Sequence, residues 1–237
     1  MLKLKNLTVF VKKKKILDNL NFEFKKGQTY VLMGPNGSGK STLALAVMGH
    51  PAYSFSPDSR LSFEGKNLKG LPPEKRAKSG LFLSFQSPLS ISGITVFQLL
   101  RQALNGRVDI LTIRDRVNQA AQSLKIKKEL LERSLNEEFS GGEKKKIEVL
   151  QAVLLDPKLL IFDEIDTGVD VDSLKVIAKL LKVLVRKKKT LILITHYNRI
   201  LKYIKPDQVL IMKEGKLVKV GRGNLAKEIE DRGYENL

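Results

Sequence analysis

No cysteine and no tryptophan occur among the 237 residues, and there are only two histidines. The missing thiols exclude a disulfide framework, and with it any cysteine-ligated zinc or iron–sulfur cluster held by this chain alone. No run of about 18 uncharged apolar residues exists, so no stretch reads as a membrane-spanning helix. The opening MLKLKNLTVF alternates apolar and polar residues and lacks the apolar core of a signal peptide. These absences fit a cytoplasmic protein. If it serves a transporter, another chain supplies the membrane part.

Lysine, by contrast, is abundant. The formal net charge is +18, while the hydrophobic fraction of 42% and the charged fraction of 29% are ordinary for a globular domain. A surface for nucleic acid or anionic membrane would account for the charge. So would solvated faces in a heat-adapted protein. The lysine runs at 12–15, 144–146 and 187–189 fall in different elements and lack interleaved aromatics, which favours solvated faces. Direct nucleic-acid binding is therefore not expected.

Along the chain, LKLKNLTVFV and ILDNLNFEF read as alternating strands, and TYVLM is a short apolar strand leading to a glycine-rich loop and the helical STLALAVMG. LSFEG and LFLSF follow as strands, the second ending at Gln86. From 87 to 155 helical periodicity dominates, with few strand signals. Two fully apolar runs, KLLIF and TLILIT, then flank an amphipathic helix. That β-α-β alternation argues for a parallel sheet buried on both faces. A hairpin turning at Glu214-Gly215 and a short charged helix close the chain.

Gly34, Pro35, Asn36, Gly37, Ser38, Gly39, Lys40, Ser41 and Thr42 fill the pattern G-x4-G-K-[ST]. Glycines there let successive backbone N–H groups face an anion, and the following helix adds its positive end. Lys40 can reach β- and γ-phosphates, Ser41 can ligate Mg²⁺, and Thr42 can hold the α-phosphate. A random chain of this size matches about one time in a hundred, and here the match also lies between a strand and a helix. A phosphate cradle is the better reading than a chance glycine-rich turn.

Asp163 and Glu164 end the run LLIF. As adjacent strand residues they point to opposite sides and can take different tasks: Asp163 holding Mg²⁺ through a water, Glu164 polarising an attacking water. An acidic pair after a strand is otherwise a loop entrance or helix cap. Ser140-Gly141-Gly142-Glu143 reads first as a capping box. Two glycines just inside a helix cost about 1 kcal/mol each relative to alanine, so bare backbone is needed there, and an approaching phosphate is the natural reason.

The cradle at Gly34, FSGGE at Phe139, IFDEID at Ile161 and the strand-terminal His196 together resemble the ordered motif set of the ATP-binding-cassette (ABC) ATPases, over nearly the whole chain. The resemblance implies an α/β P-loop NTPase fold. Its RecA-like core would take residues 1–86 and 151–237, with antiparallel N-terminal strands and an inserted helical signature subdomain at 87–150. It implies Mg·ATP hydrolysis between two copies of the chain. Lys40, Glu164, His196 and Gln86 would be catalytic, and Ser41, Gln86 and Asp163 would attend the metal. The segment Ser140, Gly141, Gly142 and Glu143 would close over the partner's nucleotide, with Asp170 in the loop exchanged across the dimer. Two departures stand out. The position matching the adenine-stacking aromatic is Val11, beside Phe10, and the signature ends in Glu143 rather than glutamine. Without the other motifs, His196 would be a capping or core histidine, as His50 is read here.

FSGGEKKK with IEVLQ, DEIDTGVDVDSLKVIA, THYNRILKYIKPD and GRGNLAKEIEDRGYENL are similar to one branch, the Suf-type ATPases of iron–sulfur cluster assembly. LFLSFQSPLSISGIT resembles that branch too, although its serine-rich centre departs from it. That branch implies soluble β-helical scaffold partners of the SufB or SufD kind, docked near Gln86. The alternative is the cytoplasmic ATP-binding subunit of an ABC membrane transporter.

Overall fold

In the computed structural model, every residue is described except 105, 107, 197, 198 and 235–237. The N-terminal strands β1 (Leu2–Val11) and β2 (Lys14–Phe24) form an antiparallel pair, followed by β3 (Thr29–Met33) and helix α1 (Lys40–Met48). Next come β4 (Tyr53–Phe55), β5 (Arg60–Phe63), β6 (Lys66–Asn67), α2 (Pro73–Lys78) and β7 (Leu81–Ser84). The middle of the chain holds β8 (Ile91–Thr95), α3 (Val96–Ala103), α4 (Ile110–Ser123), α5 (Lys128–Glu132), β9 (Ser134–Leu135) and α6 (Gly141–Leu155). The last part is β10 (Leu159–Asp163), α7 (Val171–Arg186), β11 (Thr190–Ile194), β12 (Gln208–Lys213), β13 (Lys216–Gly221) and α8 (Asn224–Arg232).

The central sheet runs β13-β12-β3-β11-β10-β7 and is parallel except for β13 at its edge. Its apolar runs are continuous because both faces are covered. Val31 and Met33 of β3, with Leu160 and Phe162 of β10, face one core shared with α6, α7 and the helices of the middle segment. Tyr30, Leu32, Leu159 and Ile161 face the other, shared with α1 and the antiparallel sheet β2-β1-β5-β6. Strand alternation thus divides each run between two cores.

Two features of the middle segment go beyond local periodicity. The segment 87–155 contains a strand pair, β8 with β9, in which Ile91 faces Leu135. Pairing between segments about forty positions apart leaves no local periodicity to read. Helix α6 runs unbroken from Gly141 to Leu155, across the 150/151 boundary, and the helical segment packs into the same cluster as the sheet.

Four parallel strands deliver their carboxyl ends to one edge. Gly34 follows β3, Gln86 lies two residues past β7, Glu164 follows β10, and Thr195 and His196 follow β11. The ladder keeps these ends level, with Asp163 opposite Ile194 and Ile194 opposite Leu32. Clefts outside such ends are where α/β sheets bind ligands.

Candidate functional site

The loop from β3 to α1 is held from below. A side chain on Gly34 would strike the carbonyl of Met212, whereas one on Gly37 would meet nothing within 4 Å. Gly37 is instead required by its left-handed φ of 77°, and it opens to solvent beside the exposed Asn36. Helix α1 starts after Gly39, also left-handed, and no side chain caps its N-terminus. Its first amides are therefore available to an anion. Lys40 is buried, and its Nζ donates to the carbonyls of Gly34 (2.8 Å) and Pro35 (3.0 Å). Burial pulls this lysine below its ordinary pKa, while the carboxylates of Asp163 and Glu164 act the other way. The ammonium is folded back on the carbonyls of its own loop.

Asp163 is 4% exposed, and its Oδ1 has no hydrogen-bond partner. Burial pushes its carboxyl up, opposed by a hydrogen bond from the Ser41 hydroxyl. An orphaned carboxylate oxygen beside a hydroxyl is an all-oxygen donor set that suits a hard dication such as Mg²⁺. Glu164 is not a strand residue, contrary to the alternation expected for it. Its φ is +53° and its amide donates to Ile194 O, so a left-handed turn, not the pleat, aims its carboxylate. That carboxylate receives Gln86 Nε2 at 2.9 Å on Oε2 and lies 3.2 Å from His196 Nε2 on Oε1. Gln86, Glu164 and His196 thus converge from three strand ends, next to Lys40, Ser41 and Asp163.

A second group forms at the start of α6. Ser140 Oγ accepts from the Glu143 amide, and Glu143 Oε2 accepts from both the amide and the hydroxyl of Ser140. These bonds, the amide first, hold the Glu143 carboxyl below its ordinary pKa. Glutamate is therefore a sound cap where the ABC resemblance implied glutamine. The glycines also have an in-chain cause that the sequence did not reveal. A Cβ on Gly141 would sit 2.9 Å from Gly168 O, and one on Gly142 would touch Asp170 and Ser173. Asp170 caps α7, accepting from the Ser173 amide at 2.8 Å. Val11 lies beside the hairpin turn opposite Lys14 and Tyr53, and His50 accepts a bond from the Ala52 amide close by in the chain.

Sequence reading missed two supports. Buried Asp166 accepts from the Thr195 hydroxyl at 3.0 and 3.1 Å, and Arg199 Nη2 donates to Val169 O at 2.8 Å; together they tie the segment after β10 to the end of β11. On α6, Lys145 and Glu148 form a buried ion pair at 3.3 Å that grips the chain at Phe85 and Gln86. A glutamate between Ile147 and Val149, close to Leu150 on an apolar stretch, was the available signal. The THYNRIL and GRGNLAKEIEDRGYENL segments include 197, 198 and 235–237, which lie outside the described residues.

A family described as ABC transporter matches residues 17–167. "Probable ATP-dependent transporter SufC" of Escherichia coli (strain K12) is 41% identical over 242 residues, covering 99% of this chain and 97% of that protein. "Probable ATP-dependent transporter ycf16" of Trieres chinensis is 42% identical over 243 residues, covering 99% and 96%. Among solved structures, an ATP-binding cassette of an ABC transporter in its ADP conformation superposes with a TM-score of 0.77 at 25% identity, covering 98% of this chain and 95% of that one. A dimeric cassette in a post-hydrolysis state with ADP and Pi superposes at 0.81 with 20% identity, covering 94% and 98%; at that identity it supports the fold alone.

Proposed function

This chain belongs to the ABC transporter family and is an ATPase of that family, and from that premise we propose that it is the ATPase subunit of a Suf-type iron–sulfur cluster assembly complex in the cytoplasm. The observation carrying the hydrolytic reading is the meeting of Gln86 and His196 on the Glu164 carboxylate beside the Lys40 cradle. The Suf reading rests on the full-length likeness to the SufC-named relative and on the segments that resemble that branch.

In this reading Lys40 leaves the Gly34 and Pro35 carbonyls for the β- and γ-phosphates, while the open amides of the loop and the start of α1 hold the rest of the anion. Ser41 and Asp163 would hold Mg²⁺, with Gln86 attending it. The metal would supply positive charge against the phosphate oxygens. Glu164 takes a proton from the attacking water, and His196 contacts the γ-phosphate from the other side. Ser140, Gly141 and Gly142 close on the nucleotide of a second copy, with Asp170 in the exchanged loop, so binding drives pairing and hydrolysis releases it. With Val11 in place of a stacking aromatic, that position offers no ring to the base.

A groove of about 620 Å³ lined by Phe82, Phe85, Ala103 and Leu155 is the proposed seat of a SufB- or SufD-like scaffold. Its lining includes the exposed Phe85, which directly precedes Gln86 in the chain, so a docked partner would sense the site. The transporter reading keeps one specific support, the word transporter in the relatives' names. Co-purification from native extract separates the two. Recovery of a detergent-free, iron-carrying partner is expected; recovery of only an integral membrane permease would overturn the Suf assignment.

A further inference from the structure

The ion pair Lys145–Glu148 lies on α6, both side chains being about 5% exposed. It has no part in the chemistry described above. Glu148 Oε1 accepts from the Phe85 amide at 2.9 Å, and Lys145 Nζ donates to the carbonyls of Phe85 (2.8 Å) and Gln86 (3.2 Å). The main chain immediately before and at Gln86 is thus gripped on its donor and its acceptor groups by one helix. The Gln86 side chain, in turn, holds Glu164. Helix α6 begins at the Ser140–Gly142 segment. A buried charge pair is a weak source of net stability, but two charges that saturate three main-chain groups fix a geometry.

We propose that Lys145 and Glu148 are positioning residues that couple the helix closing on the partner's nucleotide to Gln86 in the chain's own site. Displacement of α6 on pairing would move the Phe85–Gln86 main chain with it, and with that chain the group holding Glu164. A chain's own water-activating carboxylate would then respond to whether its partner's site is filled. The proposal rests on the reading of Gln86 and Glu164 given above.

The grip differs from a simple ion pair in one testable respect. Exchanging the charges, Lys145→Glu with Glu148→Lys, preserves an ion pair but sets a carboxylate against two carbonyls and an ammonium against an amide. The full-length protein is assayed for ATP turnover, nucleotide affinity and melting temperature. The double variant Lys145→Met/Glu148→Leu leaves no uncompensated buried charge and is expected to stay folded. Its turnover should fall about 10- to 100-fold, the scale of a misplacement of about 1 Å, with nucleotide affinity within about twofold. The charge-swapped pair should not restore it. Gln86→Ala is measured alone and combined with the Met/Leu pair. Residues acting through Gln86 make the combined variant no slower than Gln86→Ala, whereas general structural support multiplies the losses. Turnover within twofold of the parent in the folded Met/Leu variant, rescue by the swap, or multiplied losses would each overturn the coupling. If Gln86→Ala itself turns over normally, the coupling fails together with the role given to Gln86; if only Gln86→Ala is slow, the coupling alone fails.

Discussion

At the scale of single residues, two carboxylates carry different consequences. Glu164 is aimed by a left-handed turn and held by Gln86 and His196, so Glu164→Gln keeps the shape and removes the proposed base. Its turnover is expected to fall about 10²- to 10⁴-fold, while ATP affinity is retained and an ATP-dependent dimer accumulates in size-exclusion chromatography; full activity would remove Glu164 from that role. Asp166 is fully buried, and burial raises its pKa, with the Thr195 hydroxyl acting the other way. Above about pH 4, the ordinary aspartate value, the unfolded chain has released this proton while the folded chain still holds it. The folded state then binds more protons, so stability falls as pH rises through that window and levels off above the raised value. Asp166→Asn keeps an acceptor for Thr195 and is expected to flatten this part of the decline in urea titrations from pH 4 to neutrality. An unchanged slope would contradict the assignment.

At the scale of elements, helix α6 opens with the Ser140–Glu143 capping box, the segment proposed to close on a second copy's nucleotide. Ser140→Arg removes the capping hydroxyl, at a cost of about 1 kcal/mol, a fall in melting temperature of about 2–4 °C for a domain of this size. The larger effect belongs to the pair of molecules. In the proposed pairing an arginine in place of Ser140 would obstruct closure on the partner's nucleotide, so hydrolysis is expected to vanish while the monomer still binds ATP by calorimetry. Normal turnover would refute closure across two copies. The crowding of Gly141 against Gly168 O shows that the glycines of this element answer to packing within the chain as well as to any ligand.

At the scale of the whole molecule, the charge of +18 sets a condition on pairing. Two such molecules repel, and salt shortens the reach of that repulsion to about 8 Å at physiological ionic strength. Self-association of the Glu164→Gln protein with ATP is therefore expected to strengthen as salt rises from about 50 to 300 mM, measured by analytical ultracentrifugation. Weakening over that range would mean that the dimer face itself is built on opposite charges. No helix among the described residues is long and apolar enough to cross a membrane.

What the sequence by itself determined is whatever local order encodes. The strand–loop–helix at 29–48, the apolar runs ending in Asp163 and Ile194, and the capping box at Ser140 are each written within a few consecutive residues, so periodicity and spacing revealed them. Only the tertiary structure decided how those pieces meet. The β8–β9 pairing, the turn that aims Glu164, the Gly141–Gly168 contact and the grip of Lys145 and Glu148 on Phe85 and Gln86 depend on residues far apart in the chain or on a backbone angle that no side-chain pattern reports. Burial gives the Lys145–Glu148 grip its force, because a charge or carbonyl without water must find its partner inside the fold.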